Sequence, residues 1–188
     1  MYIYLLSSLP YLDFERKPPL SCEDFLERCF PLIEAKARTQ LEQVRTRVEG
    51  ANPARSSNPA LRAWYAFENT LRNELVKTRA KTLNRPAESF LRTEGGFHGA
   101  SLDLLPLALD DPSPFRVEMN LLKMRWDFLT RLEGEHVFNL SALMLYGLKL
   151  QLLERRASFG KEKGRQILQS LVERNIHGNP SSWKNHRH

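Results

Sequence analysis

The chain has 188 residues, of which 41% are hydrophobic and 27% are charged, and its formal net charge is +6. This composition excludes collagen-like, disulfide-rich and intrinsically disordered proteins, and the length predicts one domain with its own core. No apolar run is long enough to span a membrane, and the first residues lack the basic character of a signal peptide.

The first helix signals lie near the N-terminus. Residues 1–8 are apolar without a clear period, which leaves strand and helix both open. Ser21 and Asp24 have the spacing of a capping box and predict a helix start, and Pro31 predicts its end or a kink. Cys22 and Cys29 both fall in this short helix. Seven residues separate them, too far for a disulfide, so we expect two reduced thiols.

Two longer helices are predicted next. Apolar residues at spacings of three and four predict a helix over residues 32–49, and a loop near residues 50–60 follows as a candidate boundary between lobes. Asn58 and Pro59 then predict the N-cap and first position of another helix, which ends at Asn84-Arg85-Pro86. The predicted core residues of this helix are Trp64, Phe67 and Leu71.

The second half of the chain predicts an irregular stretch over residues 93–112 and then helices over 115–133 and 140–157. The helix over 140–157 is apolar on two faces, which predicts a central position, and Gly147 predicts the close approach of another backbone. A further helix over 161–174 would complete a C-terminal antiparallel hairpin. The predicted core residues here are Trp126, Phe128, Leu143, Tyr146 and Leu150.

These elements predict an all-α bundle of about six helices in a single domain over residues 1–175. Residues 176–188 are polar and aperiodic, and we expect a mobile basic tail.

The net charge is concentrated in residues 61–92, where seven basic and three acidic side chains give +4. A localised charge of this kind points to a partner. The candidate protein-binding residues are Arg72, Lys77, Arg79, Lys81 and Arg85. An acidic protein surface is the favoured partner. The alternative is a basic helical nucleic-acid-binding protein that uses residues 77–85 and the tail, and cations at a helix C-terminus also have a purely structural explanation.

Charged side chains next to aromatic ones suggest a contact between helices. One interpretation is that Arg72 or Arg79 meets Asp127 or Glu118 across a helix–helix interface. Solvated pairs within each helix are the favoured interpretation, because most surface pairs contribute little.

Nothing in the sequence requires an enzyme. Gly160-Lys161 lacks the hydroxyl residue and first glycine of a phosphate-binding loop, and the histidines lack the spacing of metal ligands. His98, Ser101 and Asp103 have the residue types of a catalytic triad, but neighbours in one loop rarely reach triad geometry. A site in residues 93–112 is therefore the least favoured interpretation, and no catalytic residue, cofactor or metal is predicted.

Several stretches resemble a bacterial family of unknown function that is encoded in V/A-type ATPase gene clusters. The resemblance covers most of residues 1–174, including the string WYAFENTLRNELVKTRAKTL, and is most specific over residues 64–73, 125–133 and 138–156. That family looks like a shortened relative of the C component of the ATPase central stalk, which is called d in eukaryotes.

The resemblance implies an all-α protein in the cytoplasm, peripheral at the inner membrane through the ATPase complex. Its implied partners are the central stalk and the rotor ring of a proton- or sodium-transporting complex, and it would reach the membrane only through them. It would bind no nucleotide and no cofactor, and it would act as a subunit, an assembly factor or a regulator. Typical stalk components of this type are built from three helical units, so this shorter chain is not expected to form their complete funnel alone.

Overall fold

The fold was analysed in a computed structural model that describes residues 2–45, 56–92 and 105–159. All regular structure in these ranges is helical, which confirms the all-α class. The helices are α1 (Tyr2–Ser8), α2 (Cys22–Cys29), α3 (Ala35–Arg45), α4 (Pro59–Thr82), α5 (Leu105–Leu109), α6 (Pro114–Glu133) and α7 (Leu140–Ser158), with 3₁₀ turns at Phe30–Leu32 and Glu88–Phe90. The second helix of the predicted hairpin and the tail lie outside the described residues.

Side-chain caps fix where the helices begin, as the sequence predicts. The Ser21 hydroxyl accepts the Asp24 backbone N–H, while the Asp24 carboxylate accepts the Ser21 N–H, so both bonds of the capping box are present. The same carboxylate accepts the Ser21 hydroxyl at 2.7 Å, and these bonds lower the pKa of Asp24. Asn58 caps α4, and Asn139 caps α7.

α7 is the central helix of the fold, as its two apolar faces predict. It packs against α1, α2, α3, α4 and α6, and every residue from 141 to 150 is buried. Gly147 allows this packing, but the expectation of a neighbouring backbone is wrong. A Cβ atom there would lie 2.9 Å from Cε1 of Phe25 and 3.0 Å from Cγ1 of Val44, so two side chains approach the glycine.

The packing of α4 and α6 on α7 shows where the two ends of α4 lie in the bundle. The Asn58 amide donates to the Ser141 hydroxyl at 3.1 Å, so α4 and α7 begin side by side. α6 precedes α7 through a short turn and runs antiparallel to it, with Arg155 near the end of α7 bonded to Glu118 near the start of α6. α4 has 24 residues and α7 has 19, so the last turn of α4 extends about 7 Å further.

Stacked aromatic rings join α4 to α6 in the core. The rings of Phe67 and Phe128 lie parallel with centroids 4.1 Å apart, and Trp64 packs against both. The eight core residues named from the sequence are all buried: Trp64, Phe67, Leu71, Trp126, Phe128, Leu143, Tyr146 and Leu150.

Candidate protein interface

The C-terminal end of α4 is the most cationic exposed part of the described chain. We call residues 77–85 the α4 tip. α4 ends at Thr82, and Leu83 is its C-cap residue. The next residue, Asn84, has φ +50°, a left-handed conformation that asparagine tolerates better than most residues. The Arg85 N–H bonds to the Ala80 carbonyl at 2.9 Å, and the Asn84 N–H bonds to the Lys81 carbonyl at 3.2 Å. These two bonds are those of a Schellman motif, which fixes the chain reversal after α4.

The cations of the α4 tip point into solvent. Lys77 forms an exposed ion pair with Glu74 at 2.7 Å. Arg79, Lys81 and Arg85 are exposed and form no ion pair within the described ranges. Because cations near a helix C-terminus are stabilised by its dipole, the tip tolerates this charge without intramolecular partners.

An apolar side chain lies among these cations. Leu83 is 66% exposed and follows Arg79 by one helical turn, so both are on the same side of the tip. The α4 tip therefore combines positive charge with accessible apolar surface.

The segment after the tip folds back along α4. We call residues 86–92 the return segment. The Asn73 side-chain amide accepts the Arg92 N–H at 2.9 Å and donates to the Arg92 carbonyl at 2.8 Å, and the Arg92 guanidinium donates to Asn69 at 2.8 Å. Phe90 in the return segment is 61% exposed. The return segment is thus held by polar side chains of α4 rather than by its own burial.

This arrangement gives Arg72, a candidate protein-binding residue, a contact within the chain. Its guanidinium donates to the Phe90 carbonyl at 3.1 Å, so it helps to hold the return segment and lies apart from the tip. Asn69 and Asn73 did not emerge from the sequence as important residues. The only feature of the sequence that could have identified them is their spacing of four residues, which places both side-chain amides on one face of α4.

The ion pair suggested between Arg72 or Arg79 and Asp127 or Glu118 is not present. Asp127 pairs with Lys123 of its own helix at 2.8 Å, and Glu118 pairs with Arg155. The pair that joins α4 to α6 is Glu68 with Arg125, in which Nε and one terminal nitrogen of Arg125 donate to the two carboxylate oxygens at 2.7 and 3.3 Å.

A buried lysine lies inside the helical core. Lys149 is 6% exposed, pairs with Glu133, and places its ammonium nitrogen 4.9 Å from the centre of the Trp126 ring. The sequence did not single out Lys149 as a core residue. The ion pair and the aromatic face together compensate for the desolvation of its charge.

No group of three or more His, Cys, Asp or Glu side chains within the described residues could hold a metal ion. His98, Ser101 and Asp103 lie outside the described residues, so the triad interpretation is not tested.

Comparisons with family models, curated proteins and solved structures found no match to this chain. Within the described ranges, none of the helices has the length and hydropathy that crossing a membrane requires. The charge and exposure of the α4 tip are therefore the observations that bear most directly on function.

Proposed function

We propose that this chain is a non-catalytic subunit or accessory protein of a bacterial V/A-type ATPase, and that it links the central stalk to the membrane rotor. The sequence resemblance supports this proposal. Its most specific stretches, residues 64–73, 125–133 and 138–156, lie in α4, α6 and α7 and in the turn before α7. These three helices pack on one another, so the resemblance falls on one connected part of the fold.

The single observation that carries the docking site is the unpaired charge of the α4 tip. Arg79, Lys81 and Arg85 are exposed, lie within four positions of the exposed Leu83, and lack intramolecular acidic partners in the described chain. Complementary charge is a common means of steering and selecting a protein partner. A rigid helical body with a charged end suits a linker that transmits force between two other subunits.

The test is co-purification from cells that contain the ATPase genes. We expect the tagged chain to bring down stalk or rotor subunits, and the triple variant R79E/K81E/R85E to lose them. The matched control is K17E/K36E/R62E, which reverses three exposed cations elsewhere on the described surface and makes the same change in net charge. Failure of the unmodified chain to recover any ATPase subunit would contradict the proposal, as would equal loss in both variants.

The same experiment separates the alternative of nucleic-acid binding. The helical cations Lys77, Arg79 and Lys81 span about 6 Å of α4. Trp64 and Phe67 are 3% and 0% exposed and cannot stack on a base, which leaves Phe90 of the return segment as the one exposed aromatic ring of residues 61–92. Recovery of nucleic acid instead of ATPase subunits, lost after nuclease treatment and steeply weakened by salt, would favour this alternative.

A further inference from the structure

We infer that the α4 tip binds a protein face in which carboxylates surround an apolar pocket for Leu83, and that charge and leucine control different steps of binding. This inference rests on the proposed function for the choice of partner. It adds the chemistry of the partner's face and a division of roles within the tip.

The first step of the argument is the position of Leu83. It forms the C-cap of α4, it is 66% exposed, and the Schellman motif fixes the backbone on its C-terminal side. The backbone at Leu83 therefore loses little conformational freedom on binding, which lowers the entropic cost of using this leucine as an anchor. Burial of an apolar side chain at the centre of an interface mainly lengthens the lifetime of the complex.

The second step is the charge around Leu83. Arg79, Lys81 and Arg85 are exposed and lie within four positions of Leu83 along the chain, with Arg79 on the same side of the helix, so a partner that contacts Leu83 meets positive charge close by. Exposed charges at the rim of an interface act mainly on the association rate and its dependence on salt. Carboxylates are the complementary groups on a protein, because arginine and lysine both donate to them.

The third step is the choice of a protein over a polyanion. A phosphate backbone attracts the cations but offers no apolar pocket for a leucine. A protein face supplies both carboxylates and apolar surface, so it accounts for Leu83 as well as for the charge.

The kinetic test uses the purified ATPase complex immobilised on a biosensor surface. We expect R79E/K81E/R85E to lower the association rate constant at least tenfold and to flatten its salt dependence, with little change in dissociation. We expect Leu83→Ala to raise the dissociation rate constant roughly tenfold with little change in association. Leu107→Ala is the matched control, because Leu107 of α5 is also an exposed leucine (74%) and lies outside residues 77–85.

The outcomes distinguish this inference from the proposed function. If the unmodified chain binds the complex but the two variants do not divide association from dissociation, the inference is overturned and the proposed function stands. If the unmodified chain does not bind the complex, the proposed function fails, and a second measurement decides the inference.

The second measurement is zero-length carbodiimide cross-linking in an extract of the native cells. This reagent joins a lysine amine to a carboxylate that is in direct contact with it. The inference predicts an intermolecular link from Lys81 to an aspartate or glutamate of one protein, suppressed by Leu83→Asn and unchanged by Leu107→Asn. No such link, or one that Leu83→Asn leaves intact, overturns the inference.

Discussion

The ion pair between Glu68 and Arg125 gives the strongest prediction about stability, because it fixes α4 against α6. Its side chains are only 13% and 18% exposed, and both carboxylate oxygens accept from the guanidinium. Replacement of Glu68 by glutamine leaves Arg125 with a charge that little solvent reaches. Removing one partner of a fully buried pair costs about 3–5 kcal/mol. Because both groups retain some exposure, we expect Glu68→Gln to lower the free energy of unfolding by about 2–4 kcal/mol.

α6 supplies a matched control for this measurement. Lys123 and Asp127 form a pair of nearly the same length, 2.8 Å, but their side chains are 50% and 53% exposed. An exposed pair of this kind contributes at most about 1 kcal/mol, so Asp127→Asn should change little. Urea unfolding followed by circular dichroism measures both variants. The reasoning is refuted if the two substitutions cost the same, because burial would then not determine the strength of these pairs.

Three further predictions concern the core. A Cβ at Gly147 would lie 2.9 Å from the fully buried Phe25 ring, so Gly147→Ala should destabilise by about 1–3 kcal/mol in thermal or urea unfolding, whereas unchanged stability would show that the ring can move away. The indole N–H of Trp64 is buried without a hydrogen-bond partner, so Trp64→Phe should cost less free energy of unfolding than Trp126→Phe, and the reverse order would be inconsistent with an unsatisfied donor. Burial raises the pKa of Cys29 to about 12 from 9.0, so the native thiol keeps its proton where the unfolded thiol loses it. The contribution of Cys29 to the free energy of unfolding is therefore fully present below pH 9 and is lost between pH 9 and 12 by about 1.4 kcal/mol per unit. Cys29→Ala should reduce the fall in stability that urea titrations measure between pH 9 and 10.

Local signals in the sequence predicted the starts of α2, α4 and α7, because the causes of those starts lie within a few residues, whereas residues 1–8 were left open between strand and helix. The hydroxyl of Ser21 and the amides of Asn58 and Asn139 bond to backbone N–H groups two or three positions later, so spacing alone locates the helix starts. The two apolar faces of α7 likewise predict its central position, because a helix that must bury both faces needs neighbours on both sides.

Contacts between distant residues were less predictable. Glu68 and Arg125 are 57 positions apart, and many other charged pairs have equally suitable chemistry. Only the packing of α4 on α6 selects this pair over the suggested one with Asp127 or Glu118. The same reason applies to Asn73, whose amide lies 19 positions from the backbone that it holds. The cations of the tip were predicted as a group that included Arg72. Only the folded structure shows that Arg72 contacts the return segment instead of belonging to the tip.

The central position of α7 has a consequence for synthesis of the protein. α7 is the last described helix, and it packs against five of the six described helices that precede it. Those earlier helices leave the ribosome before the surface on which they pack exists. At roughly 5–20 residues per second, the ribosome needs about 8–30 s to synthesise the stretch from Tyr2 of α1 to Ser158 of α7. During that interval the apolar faces of the preceding helices are open to chaperones, and folding of the described core is completed after α7 emerges from the exit tunnel.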